Sequence, residues 1–331
     1  MKLFLKTLLR LGLVATIFAT SSLVYKRYFF EGFLKEEGIL LYRLQRSLNA
    51  DYLYFSASSD YTFNPKTDKD TTRVSIIAMR YCNKNIKSIA DGAHDVEIFK
   101  ELVKHIPPNS VEGIIMSFNL RSFSPEWMTS TNLNIRRKLS ATYKPNPPLI
   151  TRFFVSLKNY PIHTNKELKR FEADYFQNWQ LPYPFPKNTI QNWCEQYKFG
   201  DWTHPKRNLA DHYIKSYGFV INENHPRIKD FDEVVQLAHA KKLKLIFHVL
   251  PENKEEAQAL LGSELTNLIK MNRDFAIDRY HNPKQKVWVV DNLEKVSDKS
   301  FIDRDFPTEH YDFEGRDIIA KGIAEQLNKI E

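Results

Sequence analysis

The chain has 331 residues, a formal charge of +8 and 42% hydrophobic residues, with only 10 glycines and 16 prolines; this is globular composition, long enough to bury a substantial core, and it excludes a collagen-like or disordered polymer. The basic residues are dispersed without a run of five or more, so a nucleic-acid-binding stripe is excluded, while an anionic membrane surface or acidic polymer remains a fitting partner. Two cysteines, Cys82 and Cys194, have neither metal-ligand nor C-x-x-C spacing and leave one disulfide or two thiols equally open.

Lys2, Lys6 and Arg10 precede an apolar stretch over 11–25, which reaches back to Leu8 if Arg10 snorkels; Lys26 and Arg27 follow. About 17 residues is the short end for a membrane span, and no A-x-A cleavage site follows. Residues 1–27 therefore read as an uncleaved anchor with the N-terminus inside, or alternatively as a cleaved signal segment. Either reading places the remainder outside the cytoplasm, in the periplasm or at the cell surface, and secreted if the segment is cleaved.

Residues 28–50 read as an amphipathic helical stalk, with Leu34, Ile39, Leu40, Tyr42, Leu44 and Leu48 at roughly helical spacing. From 51 to 331 the pattern is that of one larger domain. Strands are expected at 51–55, 86–90, 111–118, 243–250 and 286–291, and helices at 96–105, 229–241, 254–278 and 314–330, with a further structured segment at 72–80. Residues 120–225 differ: they are rich in proline and aromatics, with helical pieces at 166–179 and 189–197, and read as an insertion or lid. Its aromatics, Trp179 and Trp193 among them, either pack as core and rim or present faces to a sugar. Strands separated by helices of this length predict an α/β fold with a mainly parallel sheet and helices on both faces. In such sheets ligands bind beyond the carboxyl ends of the strands.

Ser58, Gly92 and Asn119 each follow an expected strand end, and His310 lies on a polar loop just before the last helix. A serine hydroxyl is a poor nucleophile until a base takes its proton, and His310 is suited to that task near pH 7. A carboxylate on its other ring nitrogen would fix the tautomer; Asp305 is the chosen candidate and Asp303 the alternative. The Ser58 amide, the Gly92 amide and the Asn119 side chain would supply an oxyanion hole. Arg121 is placed either to meet an anionic substrate or to brace the loop, and His94 to border the site. Ser59 is a rival nucleophile, though its position relative to Phe55 favours Ser58. His248 lies in an apolar strand and reads as a core residue; His204, His212 and His225 lack metal-ligand spacing, so no metal and no cofactor are expected.

The order Ser58, Gly92, Asn119, His310 resembles the SGNH (GDSL-like) hydrolase superfamily over about residues 50–327. Within it, the layout of an N-terminal anchor, core and internal insertion looks similar to membrane-anchored bacterial acyl-transfer proteins. The resemblance implies a flavodoxin-like three-layer α/β/α domain and Ser–His(–Asp) acyl-enzyme chemistry on acyl esters of a cell-envelope or exported glycan, as esterase or O-acyltransferase. The chain departs from the family pattern in three places: Ser56-Ala57 stands where Gly-Asp usually precedes the serine, Pro307 where an aspartate usually sits three residues before the histidine, and Asn119-Leu120-Arg121 in the third block. Those departures motivate the other expectation, a membrane-tethered binding or assembly protein that has kept the fold and lost the chemistry.

Overall fold

A computed structural model of the chain describes residues 2–28, 40–66, 68, 70–124, 127–128 and 205–330. The chain divides into two compact units, Met1–Arg46 with Asn132–His163, and Ser47–Thr131 with Thr164–Glu331. In the first unit, helix α1 (Lys2–Tyr28) is long and apolar enough to cross a membrane, and at 1.5 Å per residue it spans roughly 40 Å. Helix α2 (Leu40–Ser47) buries Leu40, Leu41 and Leu44 on one stripe.

The second unit is built on five parallel strands, β1 (Tyr52–Ser56), β2 (Ile86–Ala90), β3 (Gly113–Phe118), β4 (Lys244–Val249) and β5 (Val287–Asp291), in the order β2-β1-β3-β4-β5. All five residues of β1 and all six of β3 are buried, because a parallel sheet is covered on both faces and its central strands read as continuous apolar runs. Alternate residues point to opposite faces. Tyr52, Tyr54, Ile115, Ile246 and Val290 join one core with helices α3 (Val74–Ala78) and α9 (Phe313–Lys329). On the other face Phe55 stacks on Phe99 of α4 (Val96–Lys104), and Phe247 meets Phe231 of α6 (Pro226–Ala240) and Tyr280 of α8 (Ser263–Tyr280). The architecture is the three-layer α/β/α expected.

Gly113 begins β3 for a steric reason: a Cβ there would lie 2.6 Å from the Lys244 carbonyl and 2.7 Å from the Tyr52 ring. The single helix expected over 254–278 is two, α7 (Lys254–Leu261) and α8, separated by Gly262 at φ 76° and ψ −171°, a conformation that only glycine adopts readily. Helix α6 starts earlier than the expected 229, because Pro226 occupies its first turn and His225 caps it by accepting from the Arg227 amide at 3.1 Å. At the edges of the expected insertion, residues 120–123 form a 3₁₀ turn, and α5 (Pro205–Tyr217) buries Ala210, Tyr213, Ile214 and Tyr217. The segments 166–179 and 189–197, His204, Trp179, Trp193 and Cys194 lie outside the described residues. Cys82 donates to the Ala78 carbonyl at 3.3 Å.

Candidate active site

The strand order fixes where a site can form. From β1 the chain crosses to β2 on one side, and β3 then pairs on β1's other side, so the crevice beyond the carboxyl ends of β1 and β3 is a topological switch point. The register pairs Ser56 with Ala90 and Phe55 with Met116. Continuing each strand in step brings Ser58 level with Gly92 on one side and with Asn119 on the other.

Ser58 opens a 3₁₀ turn, Ser58–Asp60, directly after β1, and its amide, as the turn's first, lies outside the turn's own hydrogen bonds. Its carbonyl is held by the Tyr61 amide at 3.0 Å, the Thr62 amide at 2.9 Å and the Thr62 hydroxyl at 2.8 Å. Ser58 Oγ lies 2.8 Å from His310 Nε2, and His310 Nδ1 lies 2.7 Å from Asp303 Oδ2. A hydroxyl, an imidazole and a carboxylate are thus joined in one line, with both ring nitrogens committed. The imidazole is 19% exposed and the carboxylate 51%.

The partner of His310 is therefore Asp303, the alternative, and not Asp305, which is exposed on the turn that follows. Asp303 takes a left-handed backbone at φ 59°, a conformation uncommon outside glycine, asparagine and aspartate. This local bend lets a residue seven positions before the histidine reach its ring. Ser59 is 4% exposed and its hydroxyl sits 3.1 Å from Ser56 Oγ, turned away from the histidine.

Asn119 caps the turn at 120–123: its Oδ1 accepts from the Ser122 amide at 3.3 Å, which leaves Nδ2 as the donor end of the amide. Gly92 does not supply a free donor, contrary to expectation, because its amide donates to Asp91 Oδ1 at 2.8 Å. His94 is 6% exposed, with its ring edge-on to Phe99 at 6.3 Å; it is packed in the wall and not presented to a substrate. Arg121 does not present itself to a substrate either. Its Nη1 donates to the Pro307 carbonyl and its Nη2 to Glu309 Oε2 at 2.8 Å, so it takes the bracing alternative.

Several residues that hold this arrangement carry no motif. Asp60, the last residue of the turn that Ser58 opens, is buried and accepts from the Ser75 amide at 3.0 Å and from Ser88 Oγ at 2.6 Å. Burial raises its carboxyl above the ordinary range, against the lowering effect of those donors. Arg316, fully buried, donates to the carbonyls of Thr62 at 2.9 Å, Tyr311 at 2.7 Å, Asp70 at 2.6 Å and Thr72 at 3.2 Å, and to Asp68 at 3.2 Å. It staples the segment after Ser58 to the residue after His310. Arg227, also buried, meets Asp95 at 2.6 Å and the Ser122 carbonyl at 3.3 Å, fixing the turns after β2 and β3. The only sequence signal for these groups is an arginine or aspartate inside an otherwise apolar helix or turn pattern. His248 is a core residue: Nε2 lies 2.9 Å from the Tyr54 hydroxyl, and burial lowers its pKa to about 3.

Neither models of known protein families nor curated proteins yield a match to this chain.

Proposed function

We propose that this chain is a serine esterase or O-acyltransferase of the SGNH type, anchored by α1, which acts outside the cytoplasm on acyl esters of a cell-envelope or exported glycan. The observation that carries the reading is the continuous line Ser58 Oγ, His310 Nε2, His310 Nδ1, Asp303 Oδ2, at 2.8 and 2.7 Å, at the switch point of a parallel sheet. The apolar stretch 11–25 of the N-terminal helix, with Lys2, Lys6 and Arg10 before it and Lys26 and Arg27 after it, supports an anchor with its N-terminus inside.

As Ser58 Oγ attacks the ester carbonyl, its proton passes to His310 Nε2, and Asp303 stabilises the imidazolium through Nδ1–H. The Ser58 amide and Asn119 Nδ2 donate to the developing oxyanion. Collapse breaks the bond to the leaving alcohol, which takes the proton from Nε2 and leaves an acyl-Ser58 ester. Water gives hydrolysis and a sugar hydroxyl gives transfer; in both cases His310 removes the acceptor's proton and returns it to Ser58 Oγ.

A second reading, a binding or assembly protein without turnover, draws support from the Gly92 amide being held by Asp91, which leaves two oxyanion donors in place of three. The two separate on the hydrolysis of 4-nitrophenyl acetate by the purified full chain in detergent. The catalytic reading expects turnover that Ser58→Ala and His310→Ala each abolish. Variants that fold and keep the full rate would sink it.

A further inference from the structure

Behind the serine and histidine lies a buried polar cluster whose members take no part in the bond changes just described. Arg121, two residues after Asn119, reaches across to the histidine loop with both ends of its guanidinium, onto the Pro307 carbonyl and Glu309 Oε2. Its side chain is 13% exposed and that of Glu309 4%, and the guanidinium sits over the Trp127 ring at 5.2 Å. Glu252, on the loop after β4, is also buried, and its Oε2 accepts from the hydroxyl of Tyr217 in α5. Among the described residues, Glu252 Oε1 and Glu309 Oε1 are buried without hydrogen-bond partners. Of the two carboxyls, Glu309 is bonded to the guanidinium and Glu252 to the Tyr217 hydroxyl. Burial, and then the nearby Glu309 charge, push the Glu252 carboxyl well above its ordinary range.

The two loops tied by this pair are the ones that must act together. Arg121 belongs to the turn that begins at Asn119, the oxyanion donor, while Pro307 and Glu309 belong to the loop that delivers His310. A single hydrogen bond would set a distance; a planar fork on two groups, one of them adjacent to His310, also sets the loop's direction. We infer that Arg121 is a positioning residue that keeps the His310 loop in step with Asn119, so that the base and the oxyanion donor address the same carbonyl. The inference rests on Ser58 being the nucleophile.

The test uses the full chain in detergent, with the rate of Ser58 labelling by a fluorophosphonate probe read by mass spectrometry, the kinetics of 4-nitrophenyl acetate, and a thermal melt. For folded Arg121→Ala, the labelling rate and kcat should each fall about 100-fold with KM unchanged, the scale on which a misplacement of about 1 Å acts. Added guanidinium ion should restore part of the rate. If Arg121→Ala shows no thermal transition, Arg121→Lys carries the test: it keeps the charge and loses the fork, so kcat should fall about tenfold with KM unchanged. Either folded variant with kcat and labelling within threefold of wild type overturns the inference while leaving the Ser58 assignment intact. Labelling or turnover that persists in Ser58→Ala instead overturns the reading of the site, and this inference with it.

Discussion

Replacing Asp303 by asparagine isolates the electrostatic part of the His310 arrangement. The backbone at Asp303 is left-handed, at φ 59°, a conformation that asparagine adopts as aspartate does, so the turn is preserved and only the charge is lost. The carboxylate lies 2.7 Å from Nδ1 and is 51% exposed, so its attraction for the imidazolium that forms in the transition state is strongly screened. Between the bulk-water and protein-surface limits of Coulomb's law this amounts to about 2 kcal/mol, or roughly thirtyfold in kcat, well short of the loss when a triad aspartate is fully buried. Steady-state hydrolysis of 4-nitrophenyl acetate at neutral pH, with Asp305→Asn in parallel, measures it. Asp303→Asn should lose about thirtyfold in kcat, with KM little changed and Asp305→Asn indistinguishable from wild type. An Asp303→Asn rate within threefold of wild type, or the loss appearing in Asp305→Asn, refutes the assignment.

Arg316→Leu takes the counter-charge from Asp68 (side chain 4% exposed), which keeps the Asn64 and Phe313 amides as donors, and removes the Arg316 donor from four carbonyls, and should lower stability by about 3–5 kcal/mol; urea unfolding that shows less than about 1 kcal/mol, the worth of an exposed pair, would contradict the staple. Gly113→Ala places a methyl 2.6 Å from the Lys244 carbonyl, a backbone atom that cannot swing aside, and should cost about 1–3 kcal/mol, read as a drop in Tm. His248, neutral in the fold with its pKa lowered to about 3, must bind a proton on unfolding below its ordinary value near 6.5. The fold should therefore lose stability from this group as pH falls from about 6.5 towards 3, by up to about 1.4 kcal/mol per pH unit. His248→Gln keeps an acceptor for Tyr54 and removes the titration. The stability difference between variant and wild type should then shift in the variant's favour from pH 7 to pH 5, and a pH-independent difference would contradict it. The raised carboxyls of Asp60 and Glu252 act in the opposite sense, contributing stability at low pH that is lost as pH rises through their folded values, and they cancel in that comparison.

The strands were legible because the central strands of a parallel sheet are buried on both faces, and 51–55, 111–118 and 243–250 carry the apolar stretches 52–55, 114–116 and 245–247 at their centres. The order β2-β1-β3-β4-β5 was not, since periodicity says which residues are buried but not which strands are neighbours. Ser58 and His310 could be picked out because each stands at a break between a regular element and a polar loop. The choice between Asp303 and Asp305 depends on one left-handed residue in an exposed turn, which composition does not mark, as two aspartates flanking Arg304 are chemically equivalent on paper. Gly92 illustrates the reverse error. A glycine past a strand end suggests an open amide, yet the neighbouring Asp91 side chain occupies it. Arg121 was readable as a charge near the site, but its direction is set by Glu309, nearly two hundred residues later, and no local pattern carries that.

The most direct test of the central claim is the mass of the Ser58-bearing peptide after the full chain is mixed with 4-nitrophenyl acetate and quenched in acid within the first turnover. An acyl-enzyme mechanism predicts a mass increase of one acetyl group on Ser58, absent in Ser58→Ala and much reduced in His310→Ala. Release of 4-nitrophenol in a first turnover with no acetyl on Ser58, or with the acetyl on another residue, would contradict it.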